Sequence, residues 1–153
     1  MFNQLPTLPN AEPIVTGFVA FNSTYTKRFD TTRVGNIFYN SFIVDTATVM
    51  NLVVGVSDDI TPVNLLINNK IKLFANADPD DMTGAKSING TYMTIGSNKI
   101  WIFTFNTNLF KANQTVYVRY YTNDGDHSSD TEFPRNDLLD VYKTLWSFKI
   151  IPQ

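Results

Sequence analysis

The segment KIWIFTF (residues 99–105) decides how the rest of the chain is interpreted. Side chains alternate along a β-strand, so the two isoleucines of this segment point to one side, and Trp101, Phe103 and Phe105 point to the other. A strand at the surface of a small domain alternates apolar with polar residues. Both faces of this strand are apolar, so both need cover, from the same chain or from a partner.

Apolar residues recur with a period of two along most of the chain, which predicts β-strands. The predicted strands are 14–21, 36–46, 49–56, one or two within 63–77, three within 86–105, then 115–122 and 145–151. Asn68-Asn69 is the expected break in the fourth segment. Asn89-Gly90 is the dipeptide typical of a two-residue hairpin, and Gly96-Ser97-Asn98 turns the chain again. Residues 86–105 are therefore predicted to form a three-stranded meander.

The fold class predicted from this pattern is all-β. Only residues 136–143, NDLLDVYK, combine a capping residue with helical spacing. Seven or eight strands separated by turn residues indicate an antiparallel β-sandwich, with a jelly roll as the alternative. Three prolines, Pro6, Pro9 and Pro13, predict an extended arm over residues 1–13 ahead of one domain over 14–153. This arm is either a loose terminus or a contact with a neighbouring subunit.

Composition and charge exclude several classes of function. A formal net charge of −2, with no cluster of Lys or Arg, offers no field for nucleic-acid phosphates or anionic lipids. The absence of cysteine excludes disulfides, thiolate metal sites and cysteine catalysis. No apolar run is long enough to span a membrane. The first residues do not resemble a signal peptide, so we expect synthesis and use without secretion.

Catalytic and metal-binding groups are scarce in the sequence. The single histidine, His127, lies in a polar segment, and no serine sits in a strand-turn-helix elbow. We therefore predict no enzyme activity, no catalytic residue, no cofactor and no metal ligand. The acidic segments DPDDM (78–82) and NDGDHSSDTE (123–132) are interpreted as solvated turns, and calcium binding by either of them stays an open alternative.

Three explanations of the two-faced strand remain open at the level of sequence. Its second face is covered by loops of the same chain or by residues 136–143, or the strand serves both sheets, or its aromatic side chains face a partner. Three buried rings cover on the order of 500 Å², worth roughly 12 kcal/mol as an upper bound. Such a surface left exposed would promote aggregation. The predicted partner interface consists of Trp101, Phe103, Phe105, Tyr117, Arg119, Tyr121, Pro6 and Pro9.

The stretch FKANQTVYVRYYTNDGD (110–126) resembles the penultimate strand and following loop of immunoglobulin-like and fibronectin type III sandwiches. The resemblance implies an Ig-like sandwich in which Phe110 is the anchoring apolar residue and Val116, Val118 and Tyr120 point inward. The tyrosine of the family's corner motif would fall on Val116, so that motif is not matched. Fold resemblance alone does not imply a function.

The whole composition, small, cysteine-free and rich in Asn, Thr and Phe after a Pro-rich start, is similar to that of virion proteins of tailed bacteriophages. This resemblance implies a capsid auxiliary (decoration) protein, made in the host cytoplasm and located in the virion. Its expected partners are copies of itself and other virion subunits. The alternative is a glycan-binding module of a tail fibre or adhesion apparatus, with Trp101, Tyr117, Tyr120 or Tyr121 stacking on sugar rings.

Overall fold

The structure, a computed structural model, describes residues 11–29, 32–34, 37–39, 41–45, 48–134 and 146–152. Side chains are described throughout these ranges except in 32–34, 37–39, 41–43 and at residue 45. The strands are β1 (Ile14–Asn22), β2 (Arg28–Phe29), β3 (Thr32–Val34), β4 (Ile37–Tyr39), β5 (Ser41–Asp45), β6 (Val49–Ser57), β7 (Ile67–Phe74), β8 (Lys86–Asn89), β9 (Thr91–Ile95), β10 (Asn98–Asn106), β11 (Thr115–Asn123), β12 (Thr131–Phe133) and β13 (Ser147–Ile151). Short 3-10 turns lie at Val63–Leu65 and Thr107–Leu109.

Two sheets form the predicted all-β sandwich, which confirms the fold class. The first sheet has the order β2-β1-β6-β10-β9, and the second has the order β5-β13-β11-β7-β8, with β12 beside β11. The pairs in the first sheet are all antiparallel, whereas β13 and β5 of the second sheet run parallel. A separate hairpin joins β3 to β4. The strand count exceeds seven or eight because strands of two to four residues are too short to show a period.

The core lies between the two sheets and is built from alternate residues of each long strand. Strand β6 contributes Met50, Leu52, Val54 and Val56, the four residues that alternation places on one face. From β11 come the three predicted inward residues, Val116, Val118 and Tyr120, none of which has any exposed surface. Phe110 packs against the margin of this cluster. The inward assignment for β11 is therefore confirmed.

The predicted hairpin at Asn89-Gly90 is wrong. Strand β8 pairs with β7 in the second sheet, whereas β9 pairs with β10 in the first, so the chain crosses between sheets at Gly90. A type I′ turn needs positive φ at both central residues, and neither Asn89 nor Gly90 has it. The second turn is confirmed: Gly96, with φ of 60°, and Ser97 form a two-residue loop between β9 and β10.

The predicted break at Asn68-Asn69 is a β-bulge within one continuous strand. Asn68 adopts a left-handed φ of 60°, and the register of β7 against β11 shifts between Tyr121 and Asn123. Asparagine tolerates this conformation better than other non-glycine residues do. The predicted helical turn at 136–143 and most of the predicted N-terminal arm lie outside the described residues.

Candidate functional site

Strand β10 lies in the interior of the first sheet, and its aromatic face points into the core. Phe103 is fully buried and meets the ring of Tyr120 edge-on, with 5.6 Å between ring centroids. Phe105 is 5% exposed and lies 5.8 Å from the ring of Phe148. These two residues of the predicted interface therefore lie where a partner chain cannot reach them unless the sheets separate.

Trp101 lies on the same face as Phe103 but at the margin of the core. Its indole N–H donates to the carbonyl of Val63 at 3.1 Å, and its ring meets the edge of Tyr92 at 5.7 Å. The side chain is half-buried. Intramolecular contacts thus occupy the polar group and one side of this tryptophan.

The opposite face of the first sheet, which we call the outer face, carries two rows of uncharged side chains. The strand registers place one row of side chains across Gly17, Gly55, Ile100 and Met93, and the next row across Val19, Val53, Ile102 and Thr91. Phe21, Asn51, Thr104 and Ile95 lie on the same face, and Arg28 of β2, opposite Phe21, is a charged residue at its margin. No residue in the two rows is charged.

Burial varies across the outer face. Ile100 and Ile102 are buried in its middle, although neither belongs to the cluster between the sheets. Met93 and Ile95, on the edge strand β9, are 43% and 49% exposed. The sequence predicted an interface on the aromatic side of β10, which is the side opposite these two isoleucines. The sequence signal for this face is an apolar residue, in place of the polar one expected on a water-facing strand, on each of three long strands: Val19, Val53 and Ile102.

The outer side of the second sheet carries the other three predicted interface residues in the described part of the chain. On β11, Arg119 is buried, and Tyr117 and Tyr121 are half-buried. Residues 75–85, between β7 and β8, fold back over this side. Arg119 donates to the carbonyl of Pro79 at 3.0 Å, pairs with Asp80 at 3.1 Å and lies over the ring of Phe74. The acidic segment therefore packs on the sheet, held by an arginine.

Tyr121 is also engaged within the chain. Its ring lies under the ammonium groups of Lys70 and Lys72, at 5.7 and 5.2 Å, and its hydroxyl donates to the carboxylate of Glu132. Burial, followed by this hydrogen bond to a carboxylate, raises the pKa of Tyr121. Arg119 and Tyr121 are thus both held by contacts within the same chain. Pro6 and Pro9 lie outside the described residues.

A cavity of about 380 Å³ lies beside Trp101, one of the aromatic residues named by the glycan-binding alternative. Two of its polar lining residues, Asn68 and Asn69, are hydrogen-bonded within the chain. Asn69 accepts a hydrogen bond from the Tyr120 hydroxyl at 2.6 Å and donates to the carbonyl of Leu66 at 2.8 Å, and Asn68 donates to Asp130 at 3.0 Å. A saccharide site needs polar groups that converge on the ligand, whereas the side-chain amides of Asn68 and Asn69 are directed to groups of the same chain.

His127 and Asp124 form a pair in the loop between β11 and β12. The imidazole Nδ1 lies 2.9 Å from a carboxylate oxygen of Asp124, whose side chain is fully buried. The same carboxylate accepts the backbone N–H of Asp126 at 2.9 Å. Burial acts to raise the pKa of Asp124, but the hydrogen bonds from His127 and Asp126 outweigh it, so the pKa lies below its ordinary value of 3.8.

Asp124 is therefore expected to make the stability of the protein depend on pH. A carboxylate whose pKa is lower in the folded state stabilises the fold above the unfolded pKa, and this contribution is lost as the pH falls through the folded pKa. Asp124→Asn should lower the unfolding temperature at pH 7. Below about pH 4, the difference in unfolding temperature between the variant and the wild type should become smaller. Thermal unfolding followed by circular dichroism between pH 2.5 and 7 measures this.

The control for this experiment is Ser128→Asn, which changes an exposed side chain without a titratable group in the same loop. It should leave the shape of the pH profile unchanged. A profile for Asp124→Asn parallel to that of the wild type at every pH would contradict the stabilising role of the Asp124 carboxylate.

Within the part of the chain that the structure describes, no three Asp, Glu, His or Cys side chains come together as a metal site would require. None of the described helices has the length and apolar character needed to cross a bilayer. No protein-family model matches the chain, and no curated sequence is significantly similar to it.

Proposed function

We propose that this chain is a non-enzymatic structural protein that binds other protein subunits through the outer face of its first sheet. Its setting, in this proposal, is the virion of a tailed bacteriophage, where it acts as a capsid auxiliary protein on the shell. The observation that supports the proposal is the pair of uncharged rows on the outer face, which cross four strands from Gly17 and Val19 on β1 to Met93 and Thr91 on β9.

Charge depletion is what distinguishes the centre of a protein interface from the rest of a protein surface. The sandwich does not need the outer face for its own core, because the cluster between the sheets is already filled by rings and aliphatic side chains. Antiparallel sheets that face water usually alternate apolar with polar residues. Val19, Val53 and Ile102 break that rule on three adjacent strands, which favours contact with another protein.

The residues of the predicted interface contribute unequally to this proposal. Phe103 and Phe105 support it only indirectly, because they fix the orientation of β10 and thereby turn Ile100 and Ile102 to the outer face. The predicted arm at Pro6 and Pro9 stays a prediction. It would add a second contact with the shell, as extended termini can do when a neighbour holds them.

The test uses particles of the phage that encodes the chain, purified by density gradient and quantified by mass spectrometry. We expect the wild-type chain at a fixed ratio to the major shell subunit. Val53→Lys, which places a charge in the middle of the outer face, should reduce that ratio at least about tenfold, since burying an unpaired charge is costly. The matched control is Ser128→Lys, at an exposed position in the β11–β12 loop.

The two arms of this test separate the setting from the surface. A chain absent from wild-type particles would contradict the virion setting. Val53→Lys incorporated at the wild-type ratio would contradict the use of the outer face. Thermal unfolding of the purified variants establishes that Val53→Lys is folded before its incorporation is measured.

A further inference from the structure

Strand β9 forms one edge of the first sheet. Among the described strands it pairs with β10 alone. The two-residue loop is closed by the pair Ile95 and Asn98, and the closing pair of such a hairpin exchanges backbone hydrogen bonds. The direction of the backbone N–H and C=O groups alternates along a strand, so the groups that point to β10 are those of Thr91, Met93 and Ile95. Tyr92 and Thr94 therefore direct theirs away from the sheet.

The sequence of β9, TYMTI, lacks the features by which proteins protect a sheet edge. Charged side chains, proline, bulges and very short strands are the usual protection. Strand β2 has two residues and carries Arg28, β8 begins at Lys86, and β5 ends at Asp45. By contrast, β9 has five residues with no charge, no proline and no shift in its register against β10.

We propose that β9 pairs with β9 of a second copy of this chain, antiparallel and centred on Met93, so that two five-stranded sheets become one ten-stranded sheet. This register places Tyr92 opposite Thr94 of the second copy, and each such pair exchanges two backbone hydrogen bonds. Four hydrogen bonds thus satisfy all the outward backbone groups of both strands. Met93 lies opposite its own copy on the two-fold axis, as an isologous interface requires.

Charge and side-chain chemistry favour a second copy as the occupant. Identical strands repel each other when they carry charge, because like charges then lie directly opposite. TYMTI carries none, and the formal net charge of the whole chain is only −2. In the proposed register Thr91 lies beside Ile95 and Tyr92 beside Thr94, pairs of residues that are common in strands. The exposed side chains of Met93 and Ile95 would be covered in the process.

A five-residue edge buries far less than the roughly 800 Å² per partner of a standard interface, so the dimer belongs to the weak class that forms at high local concentration. This inference deepens the proposed function, on which it rests, because neighbouring copies held on a shell would meet at such concentrations. It is tested on purified protein without particles, so its failure and the failure of the proposed function are separate results.

The first experiment is analytical ultracentrifugation of the full chain from about 10 µM to about 1 mM, the range in which a weak interface becomes populated. We expect the average mass to rise toward that of a dimer. Met93→Lys places two ammonium groups on the two-fold axis and should weaken dimerisation at least about tenfold. Ser87→Lys, at an exposed position on the edge strand β8 of the other sheet, is the matched control and should dimerise like the wild type.

The second experiment identifies the strand by residue-resolved amide hydrogen exchange. In dilute protein the N–H groups of Met93 and Ile95 should exchange slowly, and those of Tyr92 and Thr94 quickly. In concentrated protein the exchange of Tyr92 and Thr94 should slow at least about tenfold, since their N–H groups become hydrogen-bonded. A mass that stays monomeric up to 1 mM, or exchange at Tyr92 and Thr94 that does not change with concentration, would overturn the inference.

Discussion

Phe103→Ala is expected to lower the free energy of unfolding by about 3–5 kcal/mol, the usual cost of removing a buried phenylalanine ring. Phe103 has no exposed surface and meets Tyr120 edge-on, so its removal leaves a cavity between the two sheets. Urea unfolding of the purified chain gives the value directly. The result also decides which face of β10 is inside.

The matched control is Met93→Ala on the neighbouring strand β9. Met93 points to the outer face and is 43% exposed, so its truncation should cost no more than about 1 kcal/mol. If Phe103 were an interface residue, as the sequence predicted, its truncation would leave the stability of the monomer unchanged. A loss below 1 kcal/mol for Phe103→Ala would therefore contradict the orientation of β10 in the structure.

Gly90→Val is expected to lower the free energy of unfolding by about 3 kcal/mol, at the upper end of the cost of overpacking. A Cβ atom at residue 90 would lie 2.8 and 2.9 Å from the Cε1 and Cζ atoms of Phe103, and 3.2 Å from Cε3 of Trp101. Both rings are held by packing and cannot move aside easily. The chain crosses from one sheet to the other at this point, so the backbone cannot retreat without losing strand pairs on β8 or β9.

Gly17→Val is the matched control for this prediction. It makes the same substitution in β1, where a Cβ atom would meet no other atom within 4 Å. Valine suits a strand better than glycine does, so this variant should be as stable as the wild type or slightly more stable. Equal stability of Gly90→Val and Gly17→Val would show that the close approach of residue 90 to the two rings is not maintained in solution.

The long strands could be predicted from the sequence because a period of two is a local property. Alternation places Met50 and Leu52 on one face of β6, the resemblance to immunoglobulin-like sandwiches implies that Val116 and Val118 of β11 point inward, and all four lie in the core. The loop at Gly96 was also predictable, because a glycine with positive φ is what a two-residue turn requires. Such features depend on residues that are adjacent along the chain.

The rest depends on contacts between distant residues. Alternation cannot say which side of KIWIFTF is inside, since both sides are apolar; the registers with β6 and β9 decide it. Asn89-Gly90 has the composition of a hairpin turn. Residue 90 instead needs to be glycine because a Cβ atom there would clash with the rings of Phe103 and Trp101. Likewise, nothing near Arg119 in the sequence indicates that Pro79 and Asp80 lie over it.

The link between β8 and β9 also limits how the two layers can come apart. Only residue 90 separates the two strands, so covalent bonds fix the spacing of the layers along this side. The opposite side, where β2 and β5 lie, has no such one-residue tether among the described strands. Under heat or mechanical tension the two sheets should therefore separate first at the side of β2 and β5. Water would then enter the core from that side and advance toward β9.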